Sequence, residues 1–315
     1  MTDVPNTDPP VVSPGDEGRH IAGDERLWNE SWYFDVADPD TADGAYLRLG
    51  LYPNRHQTWL HAVVAGRRRP LTVLFDDRAP LIGGDGLGLE VTGWRAHLEP
   101  DAPLGAWRVR AGGAGQRFAD PKDVFRRRRG EPADMELDLT WTGVAPPYHY
   151  GLTTRYEVSA RVTGTIRVGD EVIAVDAPGQ RDHSWGVRDW WAFGWCWSSG
   201  TLEDGTAFHL SDIRMGAGAA GFGYVVAPDG TLTPARAVSA TEDLDADGVP
   251  TAARCTVEPG GLDLTVVPVA LAPILFVEDD GREARMSRLL CRFEAADGRV
   301  GSGWTEWNLP PLPTS

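Results

Sequence analysis

Cysteine is scarce: the chain has three, Cys196, Cys255 and Cys291, and no two form a C-x-x-C pair. That argues against a disulfide framework and against a cysteine-built zinc site, and reads as free thiols in a reducing cytoplasm. Lysine is scarcer, with Lys122 alone among 30 basic residues, a bias toward arginine codons rather than a chemical signal. Basic charge as a whole is outweighed by 46 acidic residues, for a formal net charge of −16. Nucleic acid and an anionic membrane surface are therefore not expected as partners. No apolar run approaches the ~18–20 residues of a membrane helix, so no integral membrane segment is expected. The start, MTDVPNTDPPVV, has neither the basic nor the apolar region of a secretory signal, which predicts a cytoplasmic location. No G-x-G-x-x-G, P-loop or G-x-S-x-G motif stands at a useful position, so no cofactor is expected and serine hydrolysis has no support. No set of three histidines stands at strand spacing, so no metal is expected.

Helical periodicity is also nearly absent, and what replaces it is short alternating runs. Residues 45–52 (AYLRLGLY), 57–64, 94–98 and 107–110 alternate with period two, and 135–142 (MELDLTWT) sets Asp and Glu against Leu and Trp. Residues 156–168 form a long strand candidate, followed by Gly169-Asp170 as a hairpin turn and a return strand over 171–175. LEDG (202–205), PDG (228–230) and ADG (296–298) read as further turns, GGDGLG (83–88) as a hairpin turn, and 235–244 as a short helix or a loop. The 37 glycines and 24 prolines are spread as punctuation. Roughly twenty strand candidates recur at ~8–12-residue spacing. A small closed barrel takes about eight to ten strands, so 315 residues predict two barrels in tandem. Residues 1–24, with Pro5, Pro9, Pro10 and Pro14 among acidic and small residues, read as a disordered tail. The boundary between barrels falls at GVAPPYHYG (143–151) or APG (177–179). The second choice gives domains 25–178 and 179–315. The run RRRR at 126–129 is flanked by Asp120, Asp123, Glu131 and Asp134. It reads as a solvated loop, with a phosphate- or carboxylate-binding loop as the alternative.

The densest chemistry lies in 179–197, GQRDHSWGVRDWWAFGWCW, which holds five of the thirteen tryptophans. If 181–185 is a strand, Arg181, His183 and Trp185 share one face and Asp182 and Ser184 the other. In a following strand Phe193, Trp195 and Trp197 share a face. Aromatic walls bind apolar ligands by burial, about 150–250 Å² per ring, and stabilise a nearby cation by about 0.5–2 kcal/mol. An acid buried among them keeps its proton at neutral pH, which suits protonation of a C=C bond. Tryptophans that only fill a barrel core, with Asp–His pairs tying loops, are the structural alternative.

Here the sequence resembles a known superfamily. Residues 161–186 (RVTGTIRVGDEVIAVDAPGQRDHSWG), the pair Trp195/Trp197, the LEDG turn, SDIR (211–214), the acidic strand and Pro-rich turn at 135–151, and GSGWTEW (301–307) resemble the carotenoid 1,2-hydratase (hydroxyneurosporene synthase) and AttH-like superfamily. D-H-S-W-G looks like the mark of a bacterial branch. The resemblance implies an all-β fold of two tandem lipocalin-like antiparallel β-barrels. It implies catalytic roles for Asp212 as acid, His183 as its partner, and Trp185 facing a developing cation. Leu210 stands where the hydratases carry a Tyr, which sets the chemistry apart. Trp191, Trp195, Trp197, Asp182, Glu306 and Trp304 complete the candidate substrate-binding set, with structural roles as the alternative for Asp182 and Glu306.

The expected function is an enzyme acting on an apolar isoprenoid- or polyketide-like small molecule by acid-initiated hydration, dehydration, isomerisation or cyclisation. The alternatives are a non-catalytic lipid-, terpenoid- or steroid-binding protein and a shape-driven pericyclic cyclase. A monomer or a homodimer is expected.

Overall fold

The structure is a computed structural model and describes residues 12–151, 153–215 and 218–309. No α-helix occurs among them, and none of their helical turns is long and apolar enough to cross a membrane. Twenty strands form two antiparallel sheets. The first holds β1 (Trp28–Ala37), β2 (Asp43–Tyr52), β3 (Gln57–Gly66), β4 (Arg69–Pro80), β5 (Leu87–Val91), β6 (Trp94–Ala102), β7 (Ala106–Phe118), β8 (Glu131–Gly143), β9 (Tyr148–His149), β10 (Arg155–Val168) and β11 (Glu171–Val187). Its path β4-β3-β2-β1-β11-β10-β8-β7 closes where Leu71–Val73 of β4 pairs with Gln116–Phe118 of β7, and the β5–β6 hairpin extends from the other half of β7. The second holds β12 (Gly194–Leu202), β13 (Ala207–Met215), β14 (Gly218–Val226), β15 (Leu232–Pro234), β16 (Ala237–Leu244), β17 (Pro250–Glu258), β18 (Leu262–Val277), β19 (Glu283–Ala295) and β20 (Val300–Leu309), in the order β15-β14-β13-β12-β20-β19-β18-β17-β16. This sheet curls until its ends face each other. A Cβ on Gly221 of β14 would lie 3.0 Å from the Val238 carbonyl of β16, and Arg214 of β13 donates to the Ala240 carbonyl and to Glu242.

The chain is thus all-β, two tandem lipocalin-like barrels. Its turns fall where glycine is needed: Gly169, Gly205, Gly230 and Gly298 all have positive φ, a region that L side chains avoid. Residues 235–244, read as a short helix or a loop, hold strand β16, because 237–244 finds hydrogen-bond partners along β17 from Glu258 to Pro250. The change of barrel also differs from the expected break after Pro178. Strand β11 runs unbroken through Pro178 and Gly179 to Val187, and the chain crosses to β12 after that. Gly179 stays in the strand because its missing side chain lets the Asp35 carbonyl approach to 2.1 Å of where a Cβ would stand.

Alternation sorts every strand into an inward and an outward face. Inward residues such as Trp32, Phe34, Leu47, Trp107, Val109 and Trp141 fill the first barrel. Cys196, Phe208, Leu210, Cys255, Leu264 and Trp307 are among those that fill the second. Outward residues of both meet in a third apolar layer, including Tyr33, Tyr46 and Trp59 from the first barrel and Trp195, Phe276 and Trp304 from the second. Trp304 Nε1 donates to the Val36 carbonyl at 2.9 Å and Ser302 Oγ to that of Ala37 at 3.0 Å, fastening β20 to β1.

Of the segment read as a tail, residues 12–24 lie against the first barrel, and residues 1–11 lie outside the described residues. A single 3-10 turn, Pro14–Glu17, sends the Glu17 carboxylate into the barrel. There it accepts from Trp107 Nε1 at 2.6 Å and Tyr156 Oη at 2.8 Å, with Arg181 Nη2 at 2.9 Å. Glu17→Ala leaves the buried Arg181 cation unpaired, so it is expected to lower unfolding stability by about 3–5 kcal/mol. Glu17→Gln, which keeps an acceptor, should cost less. Urea denaturation of the three proteins checks both the loss and its order.

Candidate active site between the barrels

The outward faces that meet in the middle layer are not purely apolar. Arg155, Glu157, Asp182 and Gln180 reach it from β10 and β11, Asp35 from β1, Arg48 from β2, Arg288 from β19 and Glu306 from β20, and all but Arg155 are buried. Glu157 is the hub. Its Oε1 accepts from Tyr150 Oη (2.7 Å), Arg155 Nε (2.9 Å) and Trp197 Nε1 (3.0 Å), and its Oε2 accepts from Gln180 Nε2 (2.6 Å). Arg155 Nη2 then donates to Asp182 Oδ2 at 2.7 Å. Across the layer, Glu306 accepts from Trp195 Nε1 at 2.6 Å and pairs with Arg288, whose guanidinium lies over the rings of Tyr33 and Tyr46.

Between these groups lies a cavity with about 40 Å³ of water-accessible space. Its charged walls are Arg48, Arg155, Arg188, Arg288, Asp182 and Glu306; Tyr33, Tyr46, His61, Trp190 and Trp195 contribute rings, and Ile274 and Met286 aliphatic surface. Tyr46 Oη, Arg48 Nη1, His61 Nδ1, and Nε and Nη1 of Arg288 are buried there without a hydrogen-bond partner. Polar groups so placed carry a desolvation penalty, and these converge on one cavity.

Burial pushes the Asp182 carboxyl up to about 6, against the pull of Arg155 and with the help of the Glu157 charge. Asp35, which accepts from Tyr33 Oη at 2.8 Å, is pushed up to about 7, again chiefly by burial. Burial raises the Tyr33 and Tyr46 phenols, so both remain donors. His209, buried beside Arg155 and against Tyr150, is held well below the ordinary histidine range by burial and then by the Arg155 charge.

The residues singled out from sequence divide among three compartments. Asp182, Trp195 and Glu306 share the cavity. Trp197 and Trp304 lie in the same layer, Trp197 on Glu157 and Trp304 edge-on to Tyr46, and Trp191 donates to the Phe276 carbonyl at 3.4 Å. His183 and Trp185 face the first barrel instead, on the face they share with Arg181. His183 Nδ1 donates to the Asp16 carbonyl (2.7 Å), its Nε2 lies 3.0 Å from Glu30 Oε1, and it stacks on Trp32. Asp212 lies on the opposite face of β13 from His209, the face whose Phe208 and Leu210 fill the second barrel, with Arg214 Nε at 3.5 Å. Odd- and even-numbered residues of a strand face opposite ways. Asp212 therefore cannot act with His183 or Asp182 on one ligand. The expected trio is not a single site. Sequence reading missed Arg48, Arg155, Arg188, Arg288, His61 and Tyr46, which come from four strands and the segment after β11, with no shared motif. The donor atoms of His20, Glu30 and His183 lie within 4.8 Å of one another and are the group among the described residues that could hold a metal ion.

A family model described as a domain of unknown function, DUF7064, matches residues 13–311. The chain belongs to the DUF7064 family. None of the curated proteins matches it by sequence. Among solved structures, an AttH-like protein (NE1406) from Nitrosomonas europaea is similar at 18% identity, over 96% of this chain and 98% of its own, with a TM-score of 0.64. Kievitone hydratase from Nectria haematococca is similar at 11% identity over 95% and 93%, TM-score 0.60, and CghA at 12% over 92% and 90%, TM-score 0.56. At these identities the likeness establishes a shared fold for this DUF7064 member, and function has to come from the site.

An acid whose folded value is raised binds more protons folded than unfolded between the two values. Asp182 therefore contributes a stability that falls as pH rises from about 4 to about 6. Asp182→Asn removes that contribution. Its melting temperature relative to the unsubstituted protein should rise across that window and be level above it, and parallel melting curves against pH check this.

Proposed function

We propose that this chain is an enzyme that moves a proton on a small organic molecule held between the two barrels, with Asp182 as the acid and base. The observation that carries the reading is a buried carboxyl at about 6, lining the cavity in which five polar atoms lack partners. A general acid–base is most effective when its value lies near the working pH. Asp182 meets that condition, and Arg155 holds its Oδ2 in place. The raised phenol of Tyr46, whose hydroxyl has no partner, supplies a neutral donor on the same cavity wall. Hydration, dehydration, isomerisation and cyclisation initiated by acid all need such a group, and the rings of Trp190 and Trp195 would stabilise a developing cation beside it. The kievitone hydratase fold, shared at low identity, supports an enzyme of this kind. The isoprenoid substrates and the carotenoid-hydratase branch that the sequence resembles fit less well, since four arginines line the cavity.

The test is native mass spectrometry of the purified protein, extraction of what co-purifies, and incubation of the extract with fresh protein. A species isomerised, or shifted by the mass of water, is expected with the unsubstituted protein and not with Asp182→Asn, while Asp212→Asn retains turnover. A ligand that returns unchanged identifies a binding protein instead, and turnover retained in Asp182→Asn overturns the assigned acid.

A further inference from the structure

The cavity's charge does not balance. Four arginines line it against the two carboxylates Asp182 and Glu306, in a chain whose net charge is −16. Arg155 is taken up by Asp182 and Glu157, and Arg288 by Glu306. Arg48 and Arg188 have no carboxylate within ion-pair distance among the described residues. Arg48 is 7% exposed and makes one side-chain hydrogen bond, from Nη2 to Asn29 Oδ1 at 3.2 Å, while its Nη1 has none. Half-buried Arg188 lies over Trp190 at 5.6 Å from the ring centroid, and Arg48 lies over the same ring at 5.0 Å. Burial and the charges of Arg155 and Arg48 push Arg188 down to about 10, with Asp182 pulling the other way while already serving Arg155. Holding like charges together in a buried place is unfavourable unless something of opposite charge joins them.

We propose that the ligand of this cavity carries a carboxylate, held by Arg48 and Arg188 beside Trp190, with its organic body along Trp195, Ile274 and Met286. The assignment rests on the enzyme reading above for its description as substrate, and names that substrate's class. Guanidinium forks match a planar carboxylate two bonds at a time. Tyr46 Oη, unpartnered on the same wall, adds a hydrogen-bond donor. The cationic end fixes which end of the molecule enters, and so which atom meets Asp182.

The probe pair is benzoate and benzamide, equal in shape and different in charge, scored by thermal unfolding of the full chain at matched ionic strength. Benzoate should raise the melting temperature saturably and benzamide should not. Arg188→Met should melt higher than the unsubstituted protein without ligand, because a repulsive charge is gone, and should bind benzoate about ten- to a hundredfold more weakly. Arg48→Met should weaken benzoate similarly. Asp182→Asn should keep benzoate binding, so that loss of turnover and loss of the anion site are separable. The proposal is overturned by equal responses to benzoate and benzamide, by no response to either, by stabilisation with phenyl phosphate but not benzoate, or by unchanged benzoate affinity in both arginine variants.

Discussion

The arrangement between the barrels depends on one carboxylate. Glu157 has no contact with solvent, and its charge is tolerable only because donors from both barrels converge on it. Tyr150, Arg155 and Gln180 come from the first barrel and Trp197 from the second. Each of those donors is thereby fixed in direction. Arg155, oriented by Glu157, is the group that holds Asp182, so the geometry at the cavity is inherited from the hub one step behind it. Hydrophobic burial alone would press the two sheets together without fixing their register. The Glu157 bonds, with those from Trp304 and Ser302 to the β1 backbone, specify one docking of barrel on barrel.

The fold was legible because period-two alternation is a local property. Residues 135–142 read as Asp and Glu against Leu and Trp, and the buried positions within them are Met135, Leu137, Leu139 and Trp141. The same rule placed Asp182 and Ser184 opposite His183, which is how the cavity and the first-barrel interior divide them. Local signals failed where pairing partners decided the matter. Strand β16 has no strong alternation of its own and is a strand because β17 lies beside it. Pro178-Gly179 looks like punctuation but sits within β11, where a close backbone approach calls for glycine.

The site was legible only in part, for a related reason. A motif gathers residues that are close in sequence, and D-H-S-W-G drew attention to the last stretch of alternation in β11. Within that motif Asp182 faces one compartment and His183 another, since neighbours in a strand point apart. The cavity's arginines come from β2, β10, β19 and the segment after β11, and each looks like an ordinary surface arginine in its own stretch of sequence. Only the docking of the two sheets gives them a common neighbour in Trp190, Asp182 or Tyr46. The tryptophans were a usable signal, as were Asp182 and Glu306. Trp195 does line the cavity, and Trp197 holds the hub.

An acidic chain with a cationic pocket is not a contradiction once distance and dielectric are considered. Surface carboxylates act through water and ions, which screen them over about 8–10 Å at physiological ionic strength. Arg48 and Arg288 act across a few ångströms of protein, where the effective dielectric is lower and the interaction several times stronger. The net charge of −16 therefore governs solubility and non-specific association, while the local excess of arginine governs what is retained between the barrels. The same excess bears on Asp182. A bound anion would neutralise the cations that lower its value and add a negative charge near it. Both changes raise its value further, toward the neutral range where an acid can give up a proton and recover it in one cycle. Binding and proton transfer are then coupled by charge alone, without movement of the barrels.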